Sequence, residues 1–234
     1  MALYDRGVTL NQIGDSQGAI HDYTGVIELP GAPVDQVAKA LINRGIKLGQ
    51  TGDTQSEICD YTVLIELSGA PVDQVANAYF NRGITLAQTN DSQGAIRDYK
   101  TLIELPGAPV DKVAKALFNR GIHLLRANQK PEARTDFGSI IQLEKAPVRT
   151  VVDAFLILSE IHWSEANWAD GLQAVNSGLE FGKREQSPYF GSSEDLIGVV
   201  FLAGLSPEPR RLKVSELFGI YQKNSALPVL GDGH

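Results

Sequence analysis

The chain has 234 residues, 43% hydrophobic and 21% charged, with a net charge of −7. That acidic balance argues against nucleic acid, whose phosphates call for a surplus of Lys and Arg on one face. The longest apolar stretch, Leu196 to Leu205, is far too short for a bilayer. No signal-peptide pattern opens the chain, and a single cysteine, Cys59, excludes an internal disulfide.

Asp5-Arg6-Gly7 begins a segment that returns as Asn43-Arg44-Gly45, Asn81-Arg82-Gly83 and Asn119-Arg120-Gly121, each 38 residues after the last. A fixed period of this size marks stacked supersecondary units that bury their apolar faces against one another. The units run over about 1–31, 32–69, 70–107 and 108–145, with a degenerate fifth at 146–181. Residues 182–234 leave the pattern and read as capping helices, over Ser192–Ala203 and Pro207–Tyr221.

The second unit shows the local logic. Pro33 opens a helix at the first-turn position, where a missing N–H costs nothing. Val37, Ala40, Leu41, Ile42, Ile46 and Leu48 then recur at three-to-four spacing, which predicts an amphipathic helix. Gln50-Thr51-Gly52-Asp53 breaks it. Asp53 or Thr54 can cap the next helix, and Thr54 with Glu57 makes a capping-box pattern. That second helix carries Ile58, Tyr61, Leu64, Ile65 and Leu67, and Cys59 reads as a small, partly buried residue on it. Gly7, Gly45, Gly83, Gly121 and Ser159 share one slot of the first helices. Glycine inside a helix costs about 1 kcal/mol against alanine, so its return predicts a close helix approach there.

These slots carry a resemblance. With Ala19, Ala95 and Ala133, then Tyr23, Tyr61, Tyr99 and Phe137 on the second helices, the chain resembles a tetratricopeptide-repeat array over residues 1 to 181. Four residues are added per unit to the family's usual length. The resemblance implies an all-α, right-handed superhelical solenoid of antiparallel helix pairs with a C-terminal helical cap. Two departures stand out: Glu57 occupies an Ala slot, and the fifth unit has Gly171 and Val175 where the others place Ala and a ring.

Arg6, Arg44, Arg82 and Arg120 are followed sixteen residues later by Asp22, Asp60, Asp98 and Asp136. Two antiparallel helices with a tight turn bring these slots together, which predicts an ion pair inside each unit. The fifth unit has Leu158 and Ala174, so both charges vanish together.

The family usually lines its concave groove with the first helices. Asn43, Asn81 and Asn119 form one column, resembling the asparagine ladders that grip peptide backbone in some members. A carboxamide both gives and accepts hydrogen bonds. The competing reading is that each Asn bonds to the neighbouring unit. Phe80 and Phe118, one residue earlier, and Lys39, Asn77 and Lys115, four earlier, complete the candidate peptide-binding set. Ile46, Ile84 and Ile122 read as packing.

The four histidines share no slot and no metal-ligand spacing, and no phosphate loop or nucleophile elbow is present. The expectation is therefore a cytoplasmic, non-catalytic scaffold without cofactor or metal, holding a protein or peptide partner in its groove, with no nucleic acid and no membrane. The alternative is a structural spacer or self-association array, and either fits the regulatory or sensor region of a longer protein. Both ends read as cut, although a native short first unit would look the same.

Overall fold

Pro33, Pro71 and Pro109 each stand one residue ahead of a helix in extended backbone, so the helix-starting prolines occupy the cap rather than the first turn. This computed structural model describes residues 2–185. Among the described residues there are ten helices and no strand, an all-α solenoid. The first-helix, second-helix pairs are α1 (Ala2–Gln12) and α2 (Ser16–Ile27), α3 (Val34–Gln50) and α4 (Thr54–Glu66), α5 (Val72–Gln88) and α6 (Ser92–Ile103), α7 (Val110–Arg126) and α8 (Lys130–Gln142), then α9 (Val148–Ser164) and α10 (Trp168–Arg184). The expected capping helices lie outside the described residues.

Each hairpin turns through one left-handed residue. Gly14, Gly52, Asn90, Asn128 and Ala166 have φ of 84°, 89°, 66°, 60° and 59°. The next residue caps the second helix where it is aspartate: Asp15, Asp53 and Asp91 accept hydrogen bonds from Gly18 N, Ser56 N and Gly94 N at 2.9, 3.1 and 2.8 Å. The Thr54–Glu57 capping box does not form, because Glu57 turns inward to the hydroxyl of Tyr61.

The chain divides into two compact units after Thr150. In the first, α1 to α8 stack in chain order, each against the next. The first helices also touch across repeats, α3 with α5 and α5 with α7, more extensively than any pair of second helices does. A stack whose one row is drawn closer curves toward that row, so these first helices line the inner side of this unit. In the second unit α9 and α10 form one more hairpin, in which a Cβ on Gly178 would lie 2.9 Å from Phe155 Cβ.

The repeated glycines are dictated by the rings beneath them. A Cβ on Gly7, Gly45, Gly83 or Gly121 would stand 2.8, 2.8, 2.6 or 2.7 Å from Tyr23, Tyr61, Tyr99 or Phe137, all buried. Where the ring becomes Val175, the facing slot accepts a larger residue, Ser159.

A second pair of slots trades volume in the same way. The Glu57 slot holds Ala95 and Ala133 in the next two repeats, and the Gly49 slot holds Ala87 and Leu125. Glu57 fills the space that Gly49 leaves bare, and the Trp163 indole fills the space beside Gly171. Both departures are thus compensated across their own hairpins.

Candidate peptide-binding face

Every predicted ion pair is present and bidentate. Arg6 Nε and Nη2 donate to Asp22 Oδ2 and Oδ1 at 2.6 and 2.5 Å. The corresponding distances are 2.8 and 2.6 Å for Arg44–Asp60, 2.8 and 2.8 Å for Arg82–Asp98, and 2.9 and 2.6 Å for Arg120–Asp136. The bond from Arg6 is the main cause holding the Asp22 carboxyl below its ordinary range. Arg44 and Arg82 each use Nη1 as well, donating at 2.9 Å to Thr24 and Thr62 on the second helix of the preceding repeat. These arginines therefore tie repeats together as well as helices. In the third repeat Lys100 stands at the threonine slot, so this link is not repeated for Arg120. Covered by a preceding repeat, Arg44, Arg82 and Arg120 are 19%, 18% and 19% exposed, against 60% for Arg6.

The asparagine column lies half-buried on the inner helices. Asn43 Nδ2 donates to the Tyr4 hydroxyl at 3.0 Å, bridging the first helices of repeats one and two. Asn81 and Asn119 stand near the buried tyrosines of the preceding repeat, Tyr61 and Tyr99, and oppose the rise that burial gives both phenols, Tyr99 to about 12. Each carboxamide carries two N–H donors and an acceptor oxygen, so one internal bond leaves hydrogen-bonding capacity on the half-exposed edge.

The flanking residues divide. Phe80 and Phe118 pack on the ring beneath them in their own repeats, with centroids 6.1 Å from Tyr99 and 5.6 Å from Phe137. Lys39 and Lys115 stay half-exposed and pair along their helices with Asp35 and Asp111, at 3.5 and 3.6 Å. Asn77 is half-buried in the same column. Ile46, expected as packing, is instead exposed beside Asn43, while Ile84 and Ile122 are half-buried. Cys59, expected to be partly buried, is exposed on α4.

Other contacts were not anticipated. Lys112 lies over the Phe80 ring at 5.4 Å, joining α7 to α5, and burial lowers its pKa with Lys115 adding to the effect. His123 stacks on Tyr99 with centroids 6.2 Å apart. The recurrence of Thr24 at Thr62, one residue after the buried tyrosine, was the available signal for the arginine link. Among the described residues no group of three or more His, Cys, Asp or Glu could hold a metal, and no helix is long and apolar enough to cross a membrane.

No family model matches the sequence, and no curated protein matches it. Solved structures do match. MamA superposes with a TM-score of 0.60 at 18% identity, over 77% of this chain and 96% of that one. A tetratricopeptide-repeat protein from Parabacteroides merdae superposes with a TM-score of 0.58 at 19% identity, over 81% of this chain and 68% of that one. The fold is that of tetratricopeptide-repeat proteins. YrrB, a tetratricopeptide-repeat protein with an unusual peptide-binding site, superposes with a TM-score of 0.55 at 15% identity, over 76% of this chain and 84% of its own. The slots that carried the resemblance in the sequence, small residue against ring and Ala against its facing neighbour, are those that set the tetratricopeptide helix spacing here.

Proposed function

We propose that the chain is a non-catalytic, cytoplasmic interaction scaffold whose inner helices hold a peptide or protein segment. The observation that carries this reading is the half-exposed column of Asn43, Asn81 and Asn119 on α3, α5 and α7, the helices drawn together on the inner side. Each presents an amide edge, and Lys39, Asn77, Lys115 and the exposed Ile46 stand beside them. An extended segment laid across these helices would meet polar rungs alternating with apolar steps. Phe80 and Phe118 act mainly as the packed floor of that surface. Neither nucleic acid nor membrane is part of the reading. The peptide-binding site of YrrB on a similar fold is consistent with it.

A second reading, a spacer or self-associating array, is favoured by one observation: Asn43 already has an internal partner in Tyr4. Affinity capture from source-cell lysate separates the two. It compares the wild type with an Asn43→Ala, Asn81→Ala, Asn119→Ala variant confirmed as folded by circular dichroism. The scaffold reading expects a partner held by the wild type and lost by the variant. A partner retained by both, or the chain capturing only itself, contradicts it.

A further inference from the structure

Glu57 is the departure that brings a half-buried carboxylate to the hairpin. Its counterparts Ala19, Ala95 and Ala133 are fully buried. The side chain turns into the space that Gly49 leaves on α3, where a Cβ would lie 2.5 Å from the carboxyl carbon. Tyr61 OH donates to Glu57 Oε1 at 3.1 Å within α4. Thr85 on α5, whose hydroxyl donates to Asn81 O at 3.1 Å, faces the carboxyl from the next repeat. Three helices from two repeats thus meet on one carboxyl group. The slot of Thr85 holds Lys47 and His123 in the neighbouring repeats, so the hydroxyl belongs to this junction in particular.

Among the described residues no cation is paired with the carboxylate. Gly49 faces it from α3, Tyr61 from its own helix and Thr85 from α5. The charged residues of those helices are engaged elsewhere: Arg44 with Asp60 and Thr24, Arg82 with Asp98 and Thr62, Lys47 with Gln50, Lys39 with Asp35. Asp53 caps α4, and Asp73 bonds Gln74. Ionised, Glu57 is a charge at a helix junction held by the Tyr61 hydroxyl. Protonated, it keeps that partner and carries no charge into low dielectric.

We propose that the junction between the second and third repeats is a proton-responsive joint, with Glu57 as its titrating group. Burial raises Glu57 above the ordinary carboxylate range, opposed by the Thr85 and Tyr61 hydroxyls. The folded pKa lies above the unfolded one, so the contribution to stability is complete below the unfolded value. It is lost as pH rises through the folded value. The loss falls on the packing of α4 against α5.

The test is denaturant unfolding of the full chain and of Glu57→Gln, a neutral isostere, in steps from pH about 4.5 to about 8, spanning the ordinary carboxylate value and above. Hydrogen exchange of the α4 and α5 amides is followed in parallel. The expected result is a midpoint difference that shifts in favour of Glu57→Gln as pH rises, with α4–α5 protection, corrected for the intrinsic pH dependence of exchange, falling in the wild type only. Parallel pH profiles overturn the proposal. Should Glu57→Gln fail to fold, Gly49→Ala/Glu57→Ala rebuilds the Ala87–Ala95 pairing and must show the same flattened profile. A carboxyl titration of Glu57 by NMR at or below the ordinary carboxylate value also overturns it.

Discussion

Removing one partner of the Arg82–Asp98 pair should cost at least as much as removing both. Asp98→Ala leaves a guanidinium that is 18% exposed without its two 2.8 Å carboxylate bonds. Arg82→Leu leaves the buried Asp98 carboxylate alone. Breaking a buried pair costs about 3–5 kcal/mol, and the residual water contact of Arg82 brings each single change to about 2–3 kcal/mol on that scale. The double change Arg82→Leu/Asp98→Ala installs the residues that the degenerate repeat carries at Leu158 and Ala174. Thr62 then loses the arginine but keeps its 2.8 Å bond to Ile58 O. The double variant should therefore be no less stable than either single one, a coupling of about 2–3 kcal/mol. Urea unfolding followed by circular dichroism on all four proteins measures it. Arg6–Asp22, with its arginine 60% exposed, is the internal control and should couple more weakly. Additive costs at Arg82–Asp98, or equal coupling at the two pairs, would refute the reasoning.

Three further outcomes follow from the same contacts. Gly83→Ala places a Cβ 2.6 Å from Tyr99; overpacking at about 1–3 kcal/mol outweighs the roughly 1 kcal/mol gained in helix propensity, so thermal unfolding should show net destabilisation. Ala166→Gly and Lys145→Gly relieve left-handed backbone at φ of 59° and 61° and should each stabilise by up to about 1 kcal/mol, read as a rise in the urea midpoint. His123 is lowered by burial, then by Arg126, so its contribution is present above the unfolded imidazole value and lost as pH falls through the folded one; His123→Thr, the residue of the preceding repeat, should flatten that acid-side slope in pH-dependent unfolding.

The fold was legible because each repeat restates its packing. Gly against ring and Arg before Asp recur at one period, and the sixteen-residue offset of Arg6 and Asp22 fixes the hairpin register before any coordinates are seen. Glu57 was readable as an anomaly but not as a solution, since its compensation lies in Gly49 across the turn and in Thr85 one repeat on. The binding face was less legible. A half-buried asparagine meets the needs of a neighbour and of a ligand with the same chemistry, so the column of Asn43, Asn81 and Asn119 looks alike under both readings. Phe80 illustrates the same ambiguity: its slot is occupied by Tyr4, Ile42 and Phe118, any of which packs equally well on a ring below.

The most direct test of the inner-face scaffold uses a photo-crosslinking residue placed at Ile46, exposed beside Asn43, or at Val63, exposed on α4. Each protein is irradiated in source-cell lysate and its adducts are compared. The account predicts a discrete partner adduct from position 46 that is absent from position 63. A partner crosslinked from position 63 and not from position 46 would contradict it.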